Sequence, residues 1–173
     1  MIDTEVLIAK ASQIGLFAPL TDQELRDLLL ECQIALFLKG KTIFREGAMG
    51  DSLMVLLEGS ISLRCSPEPG VSVELATLGE GAVLGEMAVI DPAPRAATAV
   101  ASADSVLLIM AKDSLDRMIC AEHPGASKVL RQVLLLLAGR FRAMEDRIGD
   151  LFSSRIGQQA SGAQAAWHLA PRE

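Results

Sequence analysis

From residue 34 to residue 110 the chain alternates short apolar runs with glycine-bearing turns, and this rhythm limits its fold more than any other feature. Apolar runs at 34–38, 42–44, 53–57, 61–65, 71–78, 97–101 and 105–110 are separated by Lys39-Gly40, Glu46-Gly47-Ala48-Met49-Gly50-Asp51, Glu58-Gly59 and a turn at 66–70. Strands this short and this closely spaced predict an antiparallel barrel or sandwich. Aromatic residues make up only 3% of the chain against 50% hydrophobic residues overall, so Leu, Ile, Val, Ala and Met must fill the core. The stretch 79–96 interrupts the strand pattern.

Helices are expected on both sides. Thr21-Asp22-Gln23-Glu24 has the form of a capping box, with Leu20 and Leu25 as its hydrophobic staple. Leu25, Leu28 and Leu29 continue it as the stripe of a short helix ending near Glu31, and Pro19 separates this helix from a weaker one over 5–14. A further short helix is expected over 113–121, stopped by His123-Pro124-Gly125, and a long one over about 126–152. On the long helix Leu130, Leu134, Leu137, Phe141, Met144, Ile148 and Leu151 recur at alternating spacings of four and three. That is a coiled-coil seam; the alternative is packing against the chain's own barrel, since 134–137 is apolar all round. Residues 153–173, rich in Gly, Ala and Gln with Trp167 as the one anchor, read as a flexible tail.

The expected organisation is therefore α+β: an eight-stranded antiparallel β-roll or jelly-roll barrel with N-terminal helices, a short helix in the interruption and a long C-terminal helix. Its segments are 1–33 (helical), 34–124 (the roll, with the special segment 79–98), 125–152 (long helix) and 153–173 (tail). Arg131 and Arg140 bound the richest apolar run, 133–138, well short of the roughly 20 residues a membrane span needs. The acidic start, Met1-Ile2-Asp3-Thr4-Glu5, lacks the basic opening of a signal peptide, and Cys32, Cys65 and Cys120 have no metal-like spacing. A cytoplasmic protein with reduced thiols and no metal is expected. A net charge of −6 argues against extensive nonspecific binding to nucleic acid.

The chemistry concentrates in Gly85-Glu86-Met87-Ala88 through Pro94-Arg95-Ala96-Ala97-Thr98. A helix starting near Glu86 and ending before Pro92 would offer unpaired amides to an anion. Gly85 leaves room for close backbone approach. Arg95 can fork onto two phosphate oxygens, and the carboxylate of Glu86 can accept from a sugar hydroxyl. Taken singly, each residue has an ordinary explanation: Arg95 can pair with Glu86 or Asp91, Glu86 can favour a helix start, and Gly85 can serve a turn.

Taken together, Gly-Glu-Met-Ala, a short linker and Pro-Arg-Ala-Ala-Thr resemble the phosphate-binding cassette of cyclic-nucleotide-binding domains. Glu46-Gly47-x-x-Gly50-Asp51-Ser52, Leu57-Glu58-Gly59 and Leu16-Phe17-x-x-Leu20 extend the resemblance over about 16–151. It implies that Glu86 accepts from the ribose 2′-hydroxyl, and that Arg95 pairs with the cyclic phosphate. It also implies that amides at Ala88 and at Ala96 or Ala97 cradle the phosphate oxygens, and that Gly85 lets the sugar approach. Val73 and Leu75 would wall the base; Arg131 and Leu134 are candidates for a lid over it. Family members preferring cGMP often carry Thr or Ser where this chain has Ala96, so cAMP is the expected ligand. The missing bond is worth about 0.5–1.5 kcal/mol.

The expected function is a stand-alone cAMP receptor that homodimerises through the repeat of 126–152 and signals to an unknown protein partner. Catabolite activators carry a DNA-reading domain after the long helix, but the tail here is too short for three helices and lacks a basic recognition helix, so no direct DNA binding is expected. The alternatives are a degenerate scaffold module that binds nothing and a receptor for another cyclic nucleotide or dinucleotide. No nucleophile–base pair is evident, so an enzyme is not expected.

Overall fold

The computed structural model describes residues 4–68 and 70–167, with side chains described as far as Asp150. Pro69 of the turn expected at 66–70, the acidic Met1–Asp3 and the last six residues of the expected tail lie outside the described residues, as does the side chain of Leu151. The chain divides into two units, Met1–Leu134 and Leu135–Glu173.

In the first unit, α1 (Thr4–Ser12) and α2 (Asp22–Leu30) precede eight strands: β1 (Cys32–Phe37), β2 (Thr42–Phe44), β3 (Ser52–Glu58), β4 (Ile61–Cys65), β5 (Val73–Leu78), β6 (Val83–Leu84), β7 (Thr98–Ala101) and β8 (Ser105–Ala111). Helices α3 (Lys112–Cys120) and α4 (Pro124–Trp167) follow, and α4 continues through the unit boundary. The expected capping box forms in full on α2: the Glu24 amide donates to Thr21 Oγ1, and the Thr21 amide donates to the Glu24 carboxylate.

The strands make two four-stranded sheets, ordered β1-β8-β3-β6 and β2-β7-β4-β5, with antiparallel pairing throughout. Between them lies a core of Met54, Leu56, Ile61, Leu84, Ala99 and Leu107, joined by Phe44, Leu63 and Leu78. Only two phenylalanines enter this cluster, as the aliphatic composition requires. Strand β3 is buried on both faces. Met54 and Leu56 point into the roll, so period-two alternation sends Leu53, Val55 and Leu57 outward, where they are equally buried. Buried apolar stripes also run along α2 (Leu25/Leu28/Leu29), α3 (Leu115/Met118) and α4 (Ala126/Val129/Val133).

Three expectations need correction. Residues 79–96 are not free of strand: Val83–Leu84 forms β6 against Val55 and Met54, a pair too short to show alternation. The interruption holds no α-helix. Residues 86–90 form turns, closed by Ala88 N–H to Gly85 O and Ile90 N–H to Met87 O, with one helical bond, Asp91 N–H to Met87 O at 2.9 Å. Gly85 at φ +70° on one side and Pro92 on the other leave no length for more. Finally, α4 does not stop at Phe152 but runs to Trp167. A helix already formed propagates through residues such as Gly157 and Gly162, because each added residue avoids the cost of nucleation.

Candidate functional site

The site lies where the β6–β7 connection is stitched to the β2–β3 connection. Arg95 N–H donates to Ala48 O (2.8 Å) and Gly47 N–H to Arg95 O (2.9 Å). Gly50 N–H reaches Ala93 O at 3.1 Å, and Met49 bridges Pro94. The Glu46 amide donates to Thr98 Oγ1 (3.0 Å), while the Glu46 carboxylate accepts from Ser66 N–H (2.9 Å). The glycine-rich 46–51 segment thus holds the backbone of 93–98 in place, which explains why the two motifs occur together.

This stitching fixes Arg95 with its guanidinium directed inward. The side chain is buried, 8% exposed, and Glu86 beside it is 6% exposed. Nη2 donates to Ser52 O (3.0 Å) and Ser52 Oγ (3.2 Å). The cation sits over the Phe44 ring, Cζ 4.6 Å from the ring centroid. Nη1 is buried with no hydrogen-bond partner among the described residues. Burial lowers the pKa of Arg95, an effect only partly opposed by the negative fields of Asp51 and Glu86. A buried donor left unpaired is costly, and a cation short of compensation favours an incoming anion.

The glycines of the site have a nearer reason than the sequence suggests. A Cβ at Gly85 would land on Arg95 Nη1 and lie 2.5 Å from Ser52 O, and one at Gly50 would lie 2.9 Å from Arg95 Nε. Both positions make room for the guanidinium.

Gly85, Glu86, Arg95 and the buried Ala88 and Ala97 come together here, with Met87 and Ala96 exposed at the rim. The Ala88 amide, expected to face an anion, is bonded to Gly85 O at 3.0 Å. Val73 (44% exposed) and Leu75 (56%) stand open on β5, an edge strand. Arg131 and Leu134 are exposed on α4, and no hydrogen bond or ion pair ties Arg131 to the cassette among the described residues. Sequence reasoning missed Phe44 and Ser52; only the position of Ser52, directly after the Gly-x-x-Gly-Asp turn, hinted at a role. No group of three His, Cys, Asp or Glu residues that could hold a metal ion occurs among the described residues, nor is any described helix long and apolar enough to cross a membrane.

A roll of two four-stranded antiparallel sheets with accompanying helices is shared with known proteins. The chain belongs to the cyclic nucleotide-binding domain family, whose model matches residues 35–122. It is similar to the CRP-like cAMP-activated global transcriptional regulator of Mycobacterium tuberculosis, 26% identical over 172 residues, covering 91% of this chain and 75% of the relative. Among solved structures it resembles a cyclic nucleotide-binding domain from Methylobacillus flagellatus (TM-score 0.72, 30% identity, 83% of this chain and 81% of that one). The Thermus thermophilus catabolite activator protein is comparable (TM-score 0.71, 32% identity, 80% of this chain and 62% of that one).

Proposed function

We propose that the chain is a receptor for cAMP, preferred over cGMP, that passes binding through α4 to dimerisation or to contacts with a partner protein. One observation carries this reading: the buried Nη1 of Arg95, unpaired among the described residues and flanked by Glu86. A cyclic nucleotide has a single negative charge on a compact phosphodiester, which suits one guanidinium, and a ribose hydroxyl beside it for the Glu86 carboxylate. Val73 and Leu75 offer apolar contact to a purine, with Arg131 or Leu134 as lid. The M. tuberculosis relative is named as cAMP-activated, and this supports cAMP. Ala96 has no hydroxyl for guanine.

A module kept only as a scaffold would be stabilised by replacing a buried, under-compensated arginine; the retention of Arg95 favours a binding role. Exposed Phe141, Met144 and Ile148 along α4 support self-association. Three unpaired cysteines suit a reducing, cytoplasmic setting, and the net charge of −6 suits a chain that does not itself grip DNA. Nucleotide-stripped protein in competition binding should take cAMP severalfold more tightly than cGMP, and Ala96→Thr should narrow the gap. Tighter cGMP binding by the wild type would refute the specificity.

A further inference from the structure

We propose that Phe44 and Ser52 are positioning residues that hold Arg95 in a ligand-ready pose before any anion arrives. The position of one nitrogen, Nη1, then sets which phosphate oxygen is taken. The ligand rests on the cyclic-nucleotide reading above; the positioning itself can be tested without one.

An unrestrained arginine samples many rotamers, and ordering it at the moment of binding weakens affinity. In this site the ordering is completed during folding. Ser52 takes Nη2 twice, through its carbonyl at 3.0 Å and its hydroxyl at 3.2 Å. The Phe44 ring lies against the cation, its centroid 4.6 Å from Cζ. The absent Cβ atoms of Gly85 and Gly50 leave space shaped for Nη1 and Nε. These restraints fall on different atoms of the guanidinium, so together they limit both its displacement and its rotation.

Phe44 is itself anchored, because it packs against the core of the roll and pairs with Ala99 across a register shift in β2. Such an irregularity re-aims side chains. With Nη2 occupied, Nη1 is the guanidinium nitrogen that is buried without a partner among the described residues. A pose fixed in this way distinguishes the two exocyclic oxygens of a cyclic phosphate.

The test uses the full chain, its Phe44→Leu, Phe44→Tyr and Ser52→Ala variants, cAMP, and the two phosphorothioate diastereomers of cAMP, which differ only in the exocyclic oxygen replaced by sulfur. Wild type should prefer one diastereomer clearly. Phe44→Leu keeps an apolar side chain in the core but loses the ring face. It should bind cAMP about tenfold more weakly and lose most of the diastereomer preference, while Phe44→Tyr restores both. Ser52→Ala should narrow the preference in the same direction. Residues with a merely structural role would weaken both diastereomers equally.

Side-chain NMR of unliganded protein gives the ligand-free readout. Arg95 side-chain protons should show the upfield ring-current shift of an aromatic face, and Phe44→Leu should abolish it. Absence of that shift in the wild type, or an unchanged diastereomer ratio in Phe44→Leu, overturns the proposal. A wild type that shows the shift yet ignores cAMP would sink the functional reading alone and leave the positioning in place.

Discussion

At the scale of single residues, Arg95 is where the fold accepts a local cost. Its cation is buried, one donor is unpaired among the described residues, and the nearby carboxylates compensate it only in part. Gly85 shows how much backbone depends on that choice, since it takes φ +70° and leaves no room for a methyl group against Nη1. Gly85→Ala should therefore lower stability by about 1–2 kcal/mol and weaken cAMP binding as the guanidinium is displaced. Chemical denaturation and a binding titration on the same samples check both, and a fully stable, fully binding variant would contradict the packing described. Gly85, Glu86 and Arg95 were legible in the sequence because they share one short motif. Phe44 and the contact of Ser52 were not, because they reach Arg95 from 51 and 43 positions away; nothing local marks Phe44, and Ser52 is marked only by following the Gly-x-x-Gly-Asp turn.

Among the elements, α2 is the clearest case of local sequence dictating structure. Its capping box forms both reciprocal bonds, and the Glu24 carboxylate also receives Lys128 from α4 at 2.7 and 2.8 Å. Thr21→Ala should cost about 1 kcal/mol, read as a lower melting temperature with cAMP affinity little changed. On α4 two stripes separate. Ala126, Val129 and Val133 are buried in the first unit, whereas Leu134, Phe141, Met144 and Ile148 are each at least 45% exposed. If the exposed stripe is the dimer seam, Phe141→Asp should shift sedimentation from dimer to monomer without unfolding the roll. A wild type that sediments as a monomer at every concentration, with and without cAMP, would remove the seam from the account. Boundaries were less legible than elements. Strand β6 has two residues, and the cassette turn is too short for helical periodicity.

For the whole molecule, the pH response follows from carboxylates tied to cations or hydroxyls. Hydrogen bonds from Arg26 lower the pKa of Glu5, and those from Lys128 lower that of Glu24. Hydrogen bonds from Ser62 and Thr77 do the same for Glu74. Each has a folded-state pKa below the ordinary 4.5, so its contribution is present above that value and is lost as pH falls through the lower folded one. The melting temperature should decline as pH drops below about 4.5, and Glu24→Gln should shallow that decline. A melting temperature that rises on acidification would reverse the sign of this account. The roll followed from the alternation of short apolar runs and glycine turns, and its flanking helices from the capping box of α2 and the apolar spacing along α4.

The most direct measurement is a calorimetric titration of cAMP into nucleotide-stripped wild-type protein and its Arg95→Ala variant. Wild type should give a saturating isotherm with one site per chain, and the variant, still folded by circular dichroism, should give no binding heat. Equal binding by the two proteins, or no binding by either, would contradict the claim that the Arg95 guanidinium is built to receive a cyclic phosphate.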